Sequence, residues 1–599
     1  SAEPDLRSRS NRARRWVRGS HTGHYARRID VLFLCTGNIC RSPMAEALLA
    51  DELGRRGVGA TVHSAGLLDD GRPASPHSAR LMADRDLDIS AHASRVMTAT
   101  MLERADLIIG MERRHVREAA ILVPDSWSRA FTLRELARRA LDAGPRPPEV
   151  DTGAEGDLAT LDSIRVVSIL SWRYGDPGRV LAERFEADAR TIYTTGGGQT
   201  PQAQVHQTAE DVLAGRADCV LIGGAEAWRT RQSARRDGRA LSWSDQRDAV
   251  PDDLVGGDLA MNHPDELALG IGLPVQVYPL FDVALRAAEG VSVADHRARL
   301  GALYARFSEL AAANPYAWNR EVYTAHEIAT ATPQNGMVGF PYTKRMNSYE
   351  MLDQAAAVLC CSVERAEALG IASDRWVFPH SGAEAKDTYV SFRGSLERSP
   401  AMVAAGRSAL ALADTEADGV AHLDLYSCFP SAVRLAARAI GVGDERDLTV
   451  TGGMSFAGGP WNNYVTHAIA AMVEVLRDHP GELGLVSANG GLASKEAFGV
   501  YGTHPPPAGF RLARPQEEVD AVPRRELSTD HDGPVTLETY TVMHDRDGAP
   551  TLAIAATLTP AGGRAWATSD DAAIMAILLD DTEHVGDEAH RTPEGRLTL

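Results

Sequence analysis

The stretch VLFLCTGNICRSPMAEALLA, residues 31–50, decides the fold of the first part of this chain. Its apolar start, 31–34, predicts a buried parallel strand, and PMAEALLA predicts a helix. The loop between them, CTGNICRS, therefore lies at a helix N-terminus, where backbone N–H groups and the helix dipole favour a phosphate dianion. In that field we expect Cys35 to be a thiolate nucleophile, and Arg41 offers a bidentate fork for phosphoryl oxygens.

Three more residues of this loop suit the same role. Gly37 and Asn38 tolerate the left-handed backbone that a tight anion cradle needs. The Ser42 hydroxyl can hydrogen-bond the thiolate. A buried structural cysteine beside a surface arginine is the alternative interpretation, but the strand, the C-x(5)-R spacing, the Ser-Pro step and the helix together favour the nucleophile.

The composition predicts several domains and no membrane span. A chain of 599 residues is several times the usual domain size, so we expect about three domains. No apolar run approaches the roughly 20 residues of a membrane-spanning helix, and a formal charge of -19 argues against a nucleic-acid partner. The six cysteines lack paired CxxC zinc spacing and are too sparse for a disulfide framework, so no metal is predicted.

The first 28 residues form a separate basic segment. They combine arginines with Ser, Asn and Gly and few apolar residues, which is typical of a disordered tail. A docking arm for an anionic partner is the alternative. No apolar segment of a secretory signal follows these arginines, so the expected compartment is the cytoplasm.

The loop and the segments after it, among them SAGLLDDGRPASPHSARL and ADLIIGMERRHVREA, resemble the low-molecular-weight protein-tyrosine phosphatases over about 29–143. The resemblance implies a small parallel α/β domain, placed at 29–145, that needs no cofactor. It implies that Cys35 attacks phosphotyrosine, that Arg41 binds the phosphoryl group, and that Cys40 can form a reversible disulfide with Cys35. The residues expected around the phosphate are Thr36, Gly37, Asn38, Ile39, Cys40 and Ser42.

Arsenate reductases share this loop and are the second interpretation of the first domain. They need further cysteines later in the domain, and the next cysteine after Cys40 is Cys219. The phosphatase interpretation is therefore preferred.

The general acid for the leaving group is not identified by a motif. In the phosphatase family it is an Asp in an Asp-Pro pair near the end of the domain, and the next such pair, Asp176-Pro177, lies beyond the linker. The candidate is Asp151, which Thr152 follows in place of proline. A catalytic role and a solvated linker aspartate both stay open for it.

After a Pro- and Gly-rich linker at 146–160, strands and helices alternate in two similar series. The first contains IRVVSIL, TPQAQVHQTAEDVLAG and ADCVLIGGAEA, and the second contains DLYSCF, a helix over about 464–477 and GLVSANGG. Together with MNSYEMLDQAAAVLCC, they resemble the thiolase superfamily, most closely the proteins related to sterol-carrier-protein thiolases with an extra C-terminal barrel. The resemblance implies a five-layered αβαβα domain at 161–515 and a pocket for an acyl-CoA or acyl-carrier thioester.

The positions that carry thiolase chemistry depart from the family pattern. Gly197 or Gly198 stands where the nucleophilic cysteine is expected, and Tyr426 leads the altered oxyanion motif. Gly459 replaces the histidine of the Gly-His-Pro motif, and Asn489 replaces the second cysteine. Because nucleophile, base and oxyanion donors act as a unit, this pattern predicts that thiolysis is lost.

The remaining cysteines and histidines are expected to be structural. Cys428 is a conceivable replacement nucleophile of the pocket, but it leads an apolar helix face, and burial is preferred. Cys360 and Cys361 are expected in the core inside a hydrophobic helix, and Cys219 in a strand. The histidines without metal-ligand spacing are His326, His380, His467 and His504.

The last part of the chain, 516–599, predicts a small β-barrel of the oligonucleotide/oligosaccharide-binding type, without the basic and aromatic residues that nucleic acid needs. The thiolase-like part also lacks its usual first strand before IRVVSIL. An open sheet edge is a pairing hazard, so we expect the edge to be covered by the helix LRELARRALDAG and the linker, or by a second chain in a homo- or hetero-oligomer.

The function expected from these observations is hydrolysis of a phosphate monoester through a cysteinyl-phosphate at Cys35. Two alternatives stay open. In one, the second part is an acyltransferase or acyl-binding module of a biosynthetic pathway, with CoA thioester as ligand and the phosphatase loop as an anion site without turnover. In the other, the chain is a scaffold of a multi-protein complex.

Overall fold

The computed structural model describes residues 29–56, 58–134, 136, 158–244, 246, 248–257 and 260–599. The chain divides into two compact units, residues 1–148 and 149–599. The predicted tail at 1–28, the predicted linker up to 157 and the acid candidate Asp151 lie outside the described residues. Within them, no helix has both the length and the apolar character needed to cross a bilayer.

The first unit is built on a four-stranded parallel sheet. Its strands are β1 (Ile29–Cys35), β2 (Ala60–Gly66), β3 (Leu107–Gly110) and β4 (Ala130–Thr132), in the order β2-β1-β3-β4. Its described helices are α1 (Arg41–Arg55), α2 (Pro76–Ala83), α3 (Ala99–Arg104) and α4 (Arg113–Leu122). The predicted small parallel α/β domain is therefore confirmed.

The sheet order explains where this unit can bind a ligand. Strand β1 lies inside the sheet, and its residues 31–35 are almost fully buried. The chain leaves β1 to form β2 on one side and later returns to form β3 on the other side, so the strand order reverses at the carboxyl end of β1. A crevice opens at such a point in parallel α/β sheets, and CTGNICRS lies there, between β1 and α1.

The second unit has many short elements. Its strands are β5 (Ser163–Val166), β6 (Arg190–Thr194), β7 (Cys219–Ala227), β8 (Asp253–Val255), β9 (Met337–Gly339), β10 (Tyr342–Thr343), β11 (Asp353–Cys361), β12 (Phe378–Lys386), β13 (His422–Asp424), β14 (Leu483–Gly490), β15 (Lys495–Gly502), β16 (Arg511–Ala513), β17 (Gly533–His544), β18 (Pro550–Leu558), β19 (Arg564–Ser569), β20 (Glu588–Arg591) and β21 (Leu597–Thr598).

The described helices of this unit follow in chain order. They are α5 (Pro177–Phe185), α6 (Thr200–Leu213), α7 (Trp228–Arg236), α8 (Pro264–Ala268), α9 (Pro274–Glu289), α10 (Val293–Ala313), α11 (Ala325–Ala329), α12 (Val363–Ala368), α13 (Pro400–Leu412), α14 (Pro430–Ile440), α15 (Gly453–Phe456), α16 (Tyr464–Asp478), α17 (Gln516–Asp520) and α18 (Ala572–Leu578).

Two five-stranded sheets and three helical layers form the body of the second unit. The sheet orders are β11-β7-β5-β6-β8 and β13-β14-β15-β12-β16. Helices α6 and α16 contact both sheets, α5 packs on the outer face of the first and α13 on that of the second. This is the predicted αβαβα arrangement.

The two sheets also differ at one edge. The parallel pair β5-β7 with antiparallel β11 corresponds to the parallel pair β13-β14 with antiparallel β15. In the second sheet β12 pairs with the outer side of β15, whereas no described strand pairs with the outer side of β11. Among the described residues, the first sheet thus has no counterpart of β12, in line with the strand that the sequence was expected to lack before IRVVSIL.

The predicted helix around Cys360 and Cys361 is wrong. These residues end the strand β11, which pairs along its whole length with β7. A run of alanine, valine and leucine has no periodicity that distinguishes a buried helix from a strand. The segment forms a strand because the edge of β7 is available for pairing. Both thiols are partly buried.

The C-terminal strands form a ring that is part of the second unit. Strand β17 pairs with β18 and β20, β18 with β19, and β20 with β21, and a bridge between Thr568 and Arg596 joins the two ends. Strand β9, from the middle of the chain, extends this sheet. The buried Arg564 donates to the backbone carbonyls of Val390 and Arg393. The ring therefore belongs to the same compact unit as the two five-stranded sheets, and the boundary at 515/516 stays a prediction.

Candidate functional site

Cys35 ends β1 with its thiol buried inside the loop. Its Sγ accepts hydrogen bonds from the Asn38 backbone N–H at 3.2 Å and from the Ser42 hydroxyl at 3.0 Å. Cys35 is 3% exposed, and both Cys35 and Cys40 are free thiols. Two donors directed at one sulfur suit a nucleophilic thiolate.

Asn38 holds the loop in this shape. Its φ of 48° is the left-handed conformation that Gly37 and Asn38 both tolerate, and of these two residues only Asn38 adopts it. The Asn38 amide donates to Ser42 at 3.0 Å and to Ser64 at 2.8 Å, and its Oδ1 accepts from the Arg95 N–H at 2.8 Å. The side chain thus links the loop to β2 and to the segment after α2.

Thr36 connects the loop to the start of α4. Its hydroxyl oxygen lies 3.1 Å from His115 Nε2 and 2.5 Å from Arg114 Nη2. His115 Nδ1 accepts from the Glu112 N–H at 3.0 Å, which leaves Nε2 to carry the proton of the neutral ring and to donate to Thr36. Burial lowers the pKa of His115, so this neutral form is favoured.

Arg41 lies at the rim of the loop in an ion pair with Glu112. Its Nη1 is 2.6 Å from Glu112 Oε1, and Arg114 Nε lies 3.1 Å from the other carboxylate oxygen. The bond from Arg41 is the main cause of the lowered pKa of Glu112. Because a guanidinium has five donors, Arg41 retains N–H groups for a phosphoryl oxygen while one nitrogen contacts Glu112.

In the second unit, three of the predicted pocket residues converge on one point. A Cβ at Gly198 would lie 2.2 Å from the Tyr426 hydroxyl and 2.4 Å from the backbone oxygen of Asn489. Side chains do not approach this closely, so the Tyr426 hydroxyl occupies the space that a side chain at Gly198 would need. The geometry leaves no place for a nucleophile at this position.

Other predicted residues surround this point. The Gly197 N–H donates to Asn462 Oδ1 at 2.9 Å. The Ser348 N–H donates to the Cys428 carbonyl at 3.0 Å, and a Cβ at Gly459 would lie 2.0 Å from the Ser348 hydroxyl. Burial raises the pKa of the Cys428 thiol to about 12. This thiol therefore stays protonated at neutral pH and is a poor replacement nucleophile.

A buried carboxyl group lies beside this cluster. Glu496 is 2% exposed, its register partner is Asn489, and its Oε1 has no hydrogen-bond partner among the described residues. Burial raises the pKa of Glu496 well above its usual value. The Asn489 amide donates to the Tyr278 hydroxyl at 3.1 Å. Burial therefore favours the protonated, neutral form of this carboxyl group.

Comparison with known proteins agrees with these two sites. Residues 30–154 match the family model "Low molecular weight phosphotyrosine protein phosphatase", and 515–595 match "Thiolase-like protein type 1 additional C-terminal domain". The probable low molecular weight protein-tyrosine-phosphatase EpsP of Ralstonia solanacearum is 39% identical over 113 residues, which are 19% of this chain and 75% of the relative. The protein-arginine-phosphatase of Bacillus subtilis is 35% identical over 18% of this chain and 71% of the relative.

The second unit has a solved relative. The crystal structure of a monomeric SCP2-thiolase like protein type 1 from Mycobacterium smegmatis is 31% identical, with a TM-score of 0.63, over 75% of this chain and 92% of that chain. The chain belongs to two families, the low molecular weight phosphatases and the SCP2-thiolase-like proteins of type 1. Its two parts are named here the phosphatase unit and the thiolase-like unit.

The sequence found most of the phosphatase unit's loop and missed its surroundings. The loop residues of the prediction, from Cys35 to Ser42, lie together between β1 and α1. The contacts of Glu112, Arg114 and His115 with this loop were not predicted, because they lie more than 70 positions away. In the thiolase-like unit, Tyr278 and Glu496 were not identified from the sequence. Both lie beside Asn489 through tertiary packing, and no local motif marks them.

The position of Glu112 predicts how the loop binds anions. Glu112→Gln removes a carboxylate that competes with phosphate for Arg41 but keeps an acceptor of similar shape. Because exposed ion pairs are weak, we expect inorganic phosphate to bind about two- to fivefold more tightly at low salt. Isothermal titration of the full chain measures this affinity.

A matched control for that titration is Glu52→Gln, which removes exposed ion pairs with Arg55 and Arg56 on α1. It should leave the phosphate affinity unchanged. Equal or weaker phosphate binding by Glu112→Gln would show that Glu112 does not compete for Arg41.

The buried Glu496 predicts a pH-dependent stability. The pKa of Glu496 in the folded state is raised above 4.5. The protonated side chain therefore makes its full contribution to the free energy of unfolding below pH 4.5, and this contribution is lost as pH rises towards the folded-state pKa. Glu496→Gln removes this loss. The difference in unfolding free energy, variant minus wild type, should be flat below about pH 4 and then rise by about 1.4 kcal/mol per pH unit.

Urea unfolding of the full chain at several pH values tests this expectation. The control is Glu474→Gln on the exposed side of α16, for which the same difference should not change with pH. A pH-independent difference for Glu496→Gln would mean that the carboxyl group is already ionised in the folded protein.

Proposed function

We propose that this protein hydrolyses a phosphate monoester through a cysteinyl-phosphate at Cys35. The observation that carries the proposal is the pair of donors, the Asn38 N–H and the Ser42 hydroxyl, at the buried Cys35 sulfur. The loop around it leads directly into α1, whose N-terminus favours an anion. Membership of the phosphatase family supports the same reaction.

The reaction has two steps. The Cys35 thiolate attacks phosphorus, a sulfur–phosphorus bond forms, and the bond to the ester oxygen breaks. The leaving oxygen takes a proton and departs as the alcohol or phenol. Water then attacks the cysteinyl-phosphate, which releases inorganic phosphate and restores the thiolate. Backbone N–H groups of the loop stabilise the charge that develops on the phosphoryl oxygens.

Arg41 supplies the cationic clamp for those oxygens. In the structure its Nη1 contacts Glu112, and substrate binding redirects the guanidinium to the phosphoryl group. The Arg114 side chain, which contacts Thr36, adds a second positive charge at the mouth of the loop. Both cations lower the energy of a doubly charged phosphate in the crevice.

The proposed substrate is an aryl phosphate such as phosphotyrosine. The name of the Ralstonia relative refers to protein-tyrosine phosphatase activity, and that of the Bacillus relative to protein-arginine phosphatase activity. A phosphotyrosine peptide and a phosphoarginine peptide, assayed side by side, separate these two substrate classes. We propose that the reaction takes place in the cytoplasm.

For the thiolase-like unit we propose binding of an acyl-CoA or acyl-carrier thioester without thiolysis. Gly198 has no room for a nucleophile, and the Cys428 thiol is protonated. Gln199 Oε1 and Asn489 Oδ1 are buried acceptors without a donor among the described residues, and amide N–H groups of a pantetheine arm would supply donors. Native mass spectrometry of the purified full chain detects a copurified thioester. If the chain carries no bound ligand even after incubation with acyl-CoA, the binding proposal fails and the scaffold alternative remains.

The expected oligomer stays a prediction. The edge of β11 is unpaired among the described strands, whereas the Mycobacterium relative is described as monomeric. Light scattering of the full chain gives its mass in solution.

Replacing the nucleophile should abolish the phosphatase activity. We expect Cys35→Ser to lower kcat for para-nitrophenyl phosphate by roughly 10³-fold or more, because a serine hydroxyl in this loop is a much weaker nucleophile. A steady-state assay of the full chain measures kcat. Cys361→Ser, a substitution in the thiolase-like unit, is the control and should keep the wild-type rate.

If the wild-type chain is no faster than Cys35→Ser, the loop is an anion site without turnover. Activity that persists in Cys35→Ser but requires another cysteine would move the nucleophile to that residue.

The acid role of Asp151 is tested with leaving groups of different basicity. If Asp151 protonates the leaving oxygen, Asp151→Asn should lower kcat for phenyl phosphate by about 10²–10⁴-fold. The loss should be smaller for para-nitrophenyl phosphate, whose leaving group needs less help. Asp157→Asn, in the same linker, should change neither rate, and an equal rate of Asp151→Asn and wild type on phenyl phosphate rules Asp151 out.

A further inference from the structure

Two histidines and a glutamate meet at one end of the second sheet of the thiolase-like unit. His422 begins β13, and Glu482 directly precedes β14, which pairs in parallel with β13 so that His422 lies opposite Gly484. His479 caps the C-terminus of α16. One ligand atom from each of the three side chains lies within 4.8 Å of the others.

The backbone holds two of these residues in a fixed turn. The Glu482 N–H donates to the His479 carbonyl at 3.2 Å, and Gly481 between them has a φ of 94°. The Gly481 N–H donates to the Thr503 hydroxyl at 2.9 Å. The spacing H-x-x-E therefore places both side chains on one side of a turn that is anchored to the end of β15.

The hydrogen bonds also orient the donor atoms. His479 Nδ1 lies 2.9 Å from the Val475 carbonyl, so Nδ1 carries the ring proton and Nε2 keeps a free lone pair. A histidine that ligates a metal is commonly oriented in this way, with its other nitrogen donating to a carbonyl. His422 Nε2 lies 2.6 Å from Glu482 Oε2, so a proton is shared at the place where a cation would bind both atoms.

We propose that His422, His479 and Glu482 bind a divalent zinc-type ion. Two imidazole nitrogens and one carboxylate oxygen are a donor set that zinc takes, with water at the fourth position of a tetrahedron. Binding releases the proton between His422 and Glu482 and joins β13 to the turn between α16 and β14. None of the three residues belongs to the phosphatase loop, so the inference does not depend on the proposed reaction.

The sequence alone did not indicate this site. The His479-x-x-Glu482 spacing is visible in the chain, but His422 lies 57 positions before His479 and comes next to it only through the pairing of β13 with β14. The ring centroids of the two histidines are 5.0 Å apart. Both rings are at the surface or partly buried, so an ion from solution can reach them.

Titration of the full chain with Co²⁺ and Zn²⁺ tests the proposal. Wild type should bind one Co²⁺ with the visible absorption bands of a tetrahedral site and without the intense ultraviolet band of a cobalt–thiolate bond, and Zn²⁺ should displace it. His479→Ala and Glu482→Gln should each weaken Zn²⁺ binding by at least about 10-fold, since even the loss of an outer-shell partner costs about 10–100-fold. Glu482→Gln keeps the side chain's size, so its fold is expected to be preserved.

The control is His590→Ala, an exposed histidine on β20, because a chain with 19 histidines binds metal weakly at many places. It should titrate like the wild type. The proposal fails if His479→Ala, Glu482→Gln and His590→Ala all bind Zn²⁺ as tightly as the wild type. It also fails if the cobalt spectrum shows thiolate ligation that disappears in Cys35→Ser.

Discussion

The left-handed backbone of Asn38 is the constraint on which the phosphatase unit depends. With φ at 48°, the chain turns so that the Asn38 N–H faces the Cys35 sulfur while its side chain reaches Ser42, Ser64 and the backbone of Arg95. A buried amide with all of its bonds made is a rigid connector. The loop, β2 and the segment before α3 are thus held together at the point where β1 ends.

The same principle explains why the thiolase-like unit retains its fold without the family's nucleophile. The Tyr426 hydroxyl fills the space next to Gly198, and Asn489 stands where the second cysteine would be. Protein interiors are close-packed, so the absence of a side chain at Gly198 is matched by the side chain of Tyr426, which follows the end of β13. Burial raises the pKa of Glu496 and of the Cys428 thiol, so the neutral forms of both groups are favoured in this interior.

Local patterns sufficed where one short segment contains all the chemistry. CTGNICRS, with its strand before and helix after, predicted a parallel α/β domain, which the structure confirms, and Cys35 as the nucleophile, which stays a prediction. Sequence patterns gave the wrong conformation where contacts with neighbouring strands determine it. Asp353–Cys361 was expected to be helical and is a strand because β7 offers it a partner. Gly37 and Asn38 both tolerate left-handed backbone, and the structure places it at Asn38, whose side chain donates to Ser64 of β2.

The sequence by itself determined the two families, the phosphate-binding loop and the loss of thiolase residues, because each of these is written in consecutive residues whose chemistry is local. Only the tertiary structure decided that Glu112 pairs with Arg41, that Tyr426 occupies the space beside Gly198, and that His422 approaches His479 and Glu482. Those contacts join residues from separate strands and helices. Their formation depends on strand register and burial, which no single stretch of the chain specifies.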